Sequence, residues 1–439
     1  MKKIFYALIA VCTATASFAQ GPVYNRCMSP QAIQYQENIT PGYVHDVTSV
    51  FNNAHAYVSN PEAKSNSTYT IPVVVHIVYD IAAQNIDDSV VFNQIQSLND
   101  DYNRQNADTV NMRSDFDIVA GNPSIEFKLA QIDEFGNPTT GITRTNTPLA
   151  SFGSLAIVGG DFSDLEMVKS TADGGQDPWD QTRYLNIWVC NMSVNFLGQE
   201  ITALLGYATP PSNLPNWPPG STNGISDGVV IQYQAFGSNN PNILDAGGGP
   251  IEVLGRTTSH EVGHYLGLRH IWGDGDCTAE DGIDDTPNAA DQSQQDCDPS
   301  KNTCVDNIQG IDLPDMIENY MDYSSEECQN SFTQGQVSLM HGVLEDQRYD
   351  LVHGNAASID EIKELAWMIS PNPTDGEITI SSVDTFQKIQ IISLAGRIVK
   401  QIQPTGNETT IDLHNLESGI YFVTIESNGV HSSQRVVVK

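Results

Sequence analysis

The sequence predicts an α+β domain followed by a small all-β sandwich. Between Thr68 and Val352, β-branched runs of period two alternate with segments whose apolar residues recur every three or four positions. Beyond residue 368 the helical spacing disappears, and short alternating runs separated by Gly, Asn and Ser turns continue to the C-terminus. At 439 residues the chain exceeds what one core usually serves, so two folded units plus processed segments are expected.

The opening "MKKIFYALIAVCTATASFAQ" runs from two lysines through an apolar stretch too short to span a bilayer to the small residues Ser17 and Ala19. Residues 1–19 therefore read as a signal peptide, and no later apolar run reaches transmembrane length. Residues 20–63, rich in Asn, Gln and Ser with little apolar periodicity, read as a propeptide. The main domain, residues 64–352, starts its first strand at "TYTIPVVVHIVYD". "DDSVVFNQIQSLNDDYN" places Val91, Ile95, Leu98 and Tyr102 on one helical face, with Asp88 as its cap. "SIEFKLAQID", "YLNIWVCNM" and "DGVVIQY" supply further strands, and a helical pattern returns from Thr333 to about Val352. Residues 353–367 read as a linker, and residues 368–439 form the sandwich from "GEITISSV", "KIQIISLAGRIVKQIQ", "TTIDLHNL" and "GIYFVTIESNG".

Twenty Lys and Arg against 54 Asp and Glu give a net charge of −34. Such a surface repels polyanions, which excludes nucleic acid and anionic lipid as partners. It suits calcium binding.

The densest chemistry is "HEVGHYLGLRH", residues 260–270. On a helix His260 and His264 share one face, so both imidazoles reach one ion. Gly267 permits the helix to end, which brings His270 back as a third ligand. A zinc ion held by three nitrogens keeps an open position for water and lowers its pKa, and Glu261 is placed as the base that takes the proton. Five constrained positions in an exported chain, followed by "ENYMDYS" some fifty residues on, are far more specific than a bare HExxH.

This long motif with its Met-containing turn resembles the metzincin metallopeptidases, and the order of "LNIWVCNM", "LLGYA", "DGVVIQY", "DGIDDTP", "NYMDYS" and "SFTQGQ" resembles the pappalysin family over about residues 70–352. The resemblance implies a two-lobed domain, with a twisted sheet and helices above a cleft and an irregular lower half. It implies Met321 as the floor beneath the metal and Tyr323 as a phenol offered to the metal or the oxyanion. "LLGYA" becomes the upper edge strand that pairs with substrate, although its residues fit an interior strand equally.

Cys277, Cys297, Cys304 and Cys328 lack the close pairs of a structural zinc site and read as two disulfides with three possible pairings. The family pattern implies Cys277 with Cys304 and Cys297 with Cys328. Cys190 reads as a buried thiol. By the same resemblance Cys27, in the removable segment, is a zymogen switch that fills the metal's fourth position; here "NRCMSP" replaces the family's Cys-Gly, and a bridge to Cys190 or an idle thiol is the alternative. "GDGDCTAEDGIDDTP" has the oxygen density of a structural calcium site, or is a solvated acidic loop. In "SSEECQ", Glu327 is the acid that by resemblance would select Arg or Lys after the scissile bond, or else an exposed charge. "SPNPTDGEITI", "SLAGRIVKQ", "LESGIYFVTIES" and "VVVK" resemble the sorting domain of type IX secretion substrates, which implies delivery through the periplasm of a Gram-negative bacterium to the surface or medium; the alternative is a carbohydrate-binding sandwich.

The resulting expectation is a secreted zinc endopeptidase acting on proteins or peptides and made as a zymogen. The competing reading is an inactive metzincin-like adhesin. Lys64, the one Lys or Arg between Arg26 and Arg104, marks the Ala63–Lys64 bond as the expected site of self-processing.

Overall fold

The first strand of the main domain shows why its sheet is mostly parallel. In a computed structural model, β2 (Tyr69–Tyr79) is buried along nearly all its length on both faces, which is what a continuous β-branched run requires. The structure describes residues 25–58, 68–153, 162–196, 199–202, 204–211, 226–245, 249–354, 367–382, 386–393, 397–404, 406–427 and 430–439. The expected signal peptide, the Ala63–Lys64 bond and most of the expected linker lie outside these residues.

Along one edge β2 pairs in parallel first with β3 (Ile125–Leu129) and then with β4 (Ile142–Asn146); along the other it pairs in parallel with β5 (Leu185–Cys190). β7 (Val229–Gln232) continues the parallel run, and β6 (Leu204–Ala208) closes the domain's own sheet antiparallel to β7. The outer edge of β6 is taken by β1 (Asn25–Cys27), which runs parallel to it, Cys27 opposite Gly206.

Helix α3 (Asp88–Tyr102) buries Val91, Ile95, Leu98 and Tyr102 as its periodicity predicts. Its cap, however, is Asp87: that residue keeps an extended backbone and accepts a hydrogen bond from Ser89 N at 2.8 Å, while Asp88 is already in the first turn and pairs with Arg144. Helix α4 (Arg256–Tyr265) is buried at every residue. Helix α5 (Gln334–Glu345) starts from a capping box between Thr333 and Gln336, and α6 (Tyr349–His353) follows a break at 346–348.

Apart from the two-residue strand Phe332–Thr333, which pairs with Ala120–Gly121, the residues between α4 and α5 are loops and turns, stapled by Cys277–Cys304 and Cys297–Cys328. Cys27 and Cys190 are free and buried. The segment read from the sequence as a propeptide departs from its pattern-poor reading. After β1 it forms α1 (Ser29–Ile39) and α2 (Tyr43–Val58), and α2 buries Tyr43, Val50, Phe51 and Ala54, one helical stripe, against the main domain.

Residues 358–439 form a second unit. A three-stranded sheet (Trp367–Ser370, Glu377–Ser382, Glu408–Asp412) and a four-stranded sheet (Lys388–Ser393, Ile398–Ile402, Gly419–Ser427, Val430–Val438) enclose Trp367, Ile378, Ile380, Ile389, Ile391, Ile411, Val423, Ile425 and Val436. This is the small all-β sandwich expected from the sequence.

Candidate active site

Helix α4 carries His260, Glu261 and His264, and its end decides where His270 goes. Gly267 has φ +94°, a left-handed conformation that a glycine adopts without strain, so the chain reverses there. The three imidazoles then converge: Nε2 of His264 lies 3.1 Å from Nε2 of both His260 and His270. Each ring is aimed by its other nitrogen. Nδ1 of His260 donates to the Tyr320 carbonyl at 2.7 Å, that of His264 to the Leu268 carbonyl at 2.9 Å, and that of His270 to Asp274 Oδ1 at 2.6 Å. Carbonyls and carboxylates only accept, so each Nδ1 holds the proton and each Nε2 presents a lone pair. Burial first, then the neighbouring rings, lowers the His264 pKa to about 3 and that of His260 well below its usual range, so these imidazoles stay neutral. Three imidazole nitrogens facing one another fit a soft-to-borderline cation such as zinc.

Cys27 Sγ joins the cluster, and the four donor atoms lie within 4.8 Å of one another. The thiol donates to Glu261 Oε2 at 3.3 Å. Without a cation, burial and then the Glu261 charge push the thiol pKa up; a dication among the imidazoles acts in the opposite direction. Ser29 supplies a second contact, donating from Oγ to Glu261 Oε2 at 3.1 Å while accepting from Ala208 N at 2.8 Å.

Glu261 itself is fully buried, and burial raises its pKa to about 8 against the opposing bonds from Cys27 and Ser29. Its Oε1 has no hydrogen-bond partner among the described residues. Gly206 on β6 allows this close approach, because a Cβ there would meet Glu261 Cγ at 2.7 Å. Met321 is completely buried, its sulphur against Gly263. Tyr323 is almost fully buried and donates its phenol to the Cys27 carbonyl at 2.9 Å.

Residues the sequence did not single out complete the site. Arg26, one position before Cys27, is buried; its guanidinium donates to the Ser324 carbonyl and to Gln329 Oε1 at 2.7 Å, and lies 3.7 Å from Glu326 Oε1. Glu326, not Glu327, is therefore the acid drawn inward. Its carboxylate accepts from Leu254 N, Arg256 N, Thr257 N and Thr257 Oγ1 at the start of α4, and that ring of donors holds it in. Arg26 and Glu326 line a cavity of about 250 Å³, and Glu327, exposed, lines it as well. Sequence alone offered a tandem pair of acids and no means of orienting either.

A glutamate beside three converging imidazoles, under the edge strand of a mixed sheet, defines the centre of a metallopeptidase. Residues 251–345 match the peptidase family described as Pregnancy-associated plasma protein-A, and residues 368–439 match the Secretion system C-terminal sorting domain. An extracellular metalloprotease of Arthroderma benhamiae is 30% identical over 302 residues, 68% of this chain and 79% of that protein. Tannerella forsythia mature mirolysin in complex with a cleaved peptide is 41% identical with a TM-score of 0.54, covering 67% of this chain and 98% of that one. A T. forsythia promirolysin mutant is 38% identical with a TM-score of 0.58, over 75% and 98% of the respective chains. The chain belongs to the pappalysin family of metallopeptidases. It is a metalloendopeptidase that carries a secretion sorting domain, and so a secreted one.

Proposed function

We propose that this chain is the latent form of a zinc endopeptidase that cuts on the N-terminal side of Arg or Lys. One observation carries the reading: a single short strand, Asn25–Cys27, puts a thiol among three imidazoles and a guanidinium into the adjoining acid-lined pocket. His260, His264 and His270 would hold zinc, which as a Lewis acid lowers the pKa of a water in its open position. Glu261, beside the three imidazoles, would take a proton from that water and return it. Tyr323, kept protonated by burial, donates to the Cys27 carbonyl in the latent form and would donate to the scissile carbonyl oxygen as negative charge develops there. Cys27 acts as the zymogen switch; Met28 stands where the family has a following glycine, and Ser29, one residue further on, holds the base. In the active enzyme the pocket of Glu326, Gln329 and the Ser324 carbonyl, with Glu327 at its mouth, takes the Arg or Lys that follows the scissile bond.

A calcium site is proposed on the acidic loop. Asp281 and Asp306 line one polar cavity with Asn288, and each has a side-chain oxygen without a hydrogen-bond partner among the described residues. Burial raises the Asp281 pKa, so a cation is the partner that makes its charge tolerable. The sorting domain is proposed to hand the chain to type IX secretion machinery.

The test is a cleavage profile of the processed enzyme on a proteome-derived peptide library. New N-termini should begin predominantly with Arg or Lys, vanish on zinc chelation and return with added zinc. Chelator-insensitive cleavage would overturn the metal reading; chelator-sensitive cleavage without an Arg or Lys preference would overturn the pocket alone. No cleavage in any condition would favour the adhesin.

A further inference from the structure

The side of the metal cluster away from Arg26 is covered by apolar prosegment residues. A cavity of about 120 Å³ lies there, walled on the enzyme side by Pro210, Pro211, Leu268, Arg269 and Val343 beside His264. From the prosegment, Ile33, Val47 and Phe51 face it. The Phe51 ring lies against Gly282, and the Arg269 guanidinium carbon stands 4.0 Å from its centroid. Arg269 makes no hydrogen bond among the described residues; the cation offers its flat face to an aromatic ring instead.

We propose that this trough, once the prosegment leaves, receives a bulky apolar and preferentially aromatic side chain of the substrate on the N-terminal side of the scissile bond, with Arg269 stacked on the ring. The side assignment rests on the reading that the Arg26 pocket takes the residue after that bond. The walls favour such an occupant because Pro210, Pro211, Leu268 and Val343 offer it carbon and no side-chain hydrogen-bond partner. An acidic side chain is the obvious rival for a free guanidinium. It fits worse, because Asp274 and Asp281 already act electrostatically on Arg269 and would repel a third carboxylate. Phe51 in the latent enzyme is thus a stand-in for the substrate's ring.

The experiment uses the wild-type processed enzyme and quenched fluorescent peptides with Arg fixed after the cleaved bond and Phe, Leu, Ala or Asp at each of the two preceding positions. At one of them kcat/KM should be at least about tenfold higher for Phe than for Ala, and lowest for Asp. Arg269→Leu should reduce the Phe over Leu preference by about threefold or more and leave Leu over Ala in place. Equal rates for Phe and Ala at both positions, or Asp as the fastest, would overturn the proposal; the wild-type series decides this even if the variant misfolds. A parallel series with Phe fixed and Arg replaced by Gln or Ala reads the Arg26 pocket separately, so that the two ideas fail independently.

Discussion

Ser29 contacts the catalytic centre through one hydroxyl that donates to Glu261 and accepts from Ala208 N. Ser29→Ala leaves that buried N–H unpaired and releases the base, a loss of about 1–3 kcal/mol from the latent state. The uncleaved zymogen should therefore show residual activity about tenfold or more above wild type, measured on a small peptide substrate. Glu261→Ala should bind zinc at wild-type stoichiometry, because the three imidazoles keep their partners, and lose about 10²–10⁴-fold in turnover; metal analysis alongside kinetics separates the two. Tyr323→Phe should lower kcat by about 10²-fold with little change in KM, since the phenol's donor role is strongest in the transition state. A rise in KM at constant kcat would remove Tyr323 from that role.

At the level of elements, legibility followed how local each signal was. His260, Glu261 and His264 lie within about one helix turn and Gly267 turns the chain back to His270, so the spacing within eleven residues pointed to the cluster. Asp87 against Asp88 and Glu326 against Glu327 are tandem acids, and backbone direction, which spacing does not encode, chose between them. Helix α2 was missed although Tyr43, Val47, Val50 and Phe51 recur three or four apart, because polar neighbours dilute the pattern and its partner surface is distant in sequence. His76 on β2 shows a further tertiary effect: its Nε2–H donates to Asn186 Oδ1 at 2.9 Å and its Nδ1 accepts from the Thr143 hydroxyl at 2.7 Å, tying β2 to both neighbours. Burial lowers its pKa to about 4 from an ordinary 6.5. A depressed base binds its proton more readily unfolded, so this contribution to stability is full above about pH 6.5 and falls away towards pH 4, up to roughly 3 kcal/mol. Urea unfolding of wild type should show that slope, and His76→Gln should flatten it while lowering stability at pH 7.

For the whole molecule, the arrangement of the prosegment constrains how activation proceeds. The Ala63–Lys64 bond lies outside the described residues, between the end of α2 at Val58 and the start of β2 at Tyr69. Cutting it removes a covalent link and none of the contacts that silence the site: β1 still pairs with β6, Arg26 still fills its pocket, and Phe51 and Ala54 remain buried. Cleavage and activation should therefore be separable, with a nicked complex that stays inhibited until the prosegment dissociates or is digested. A chain whose pocket holds its own Arg26 has no room there for its own Lys64, so processing must pass between molecules. Purified zymogen should then activate after a lag that shortens with concentration and disappears when a trace of processed enzyme is added. Glu261→Ala should remain intact alone and be cut to a Lys64 N-terminus on seeding, and Lys64→Gln should resist the same seed. A first-order, concentration-independent time course would place the cleavage within one chain, and trimming of unseeded Glu261→Ala at Lys64 in a host without relatives would assign maturation to another protease.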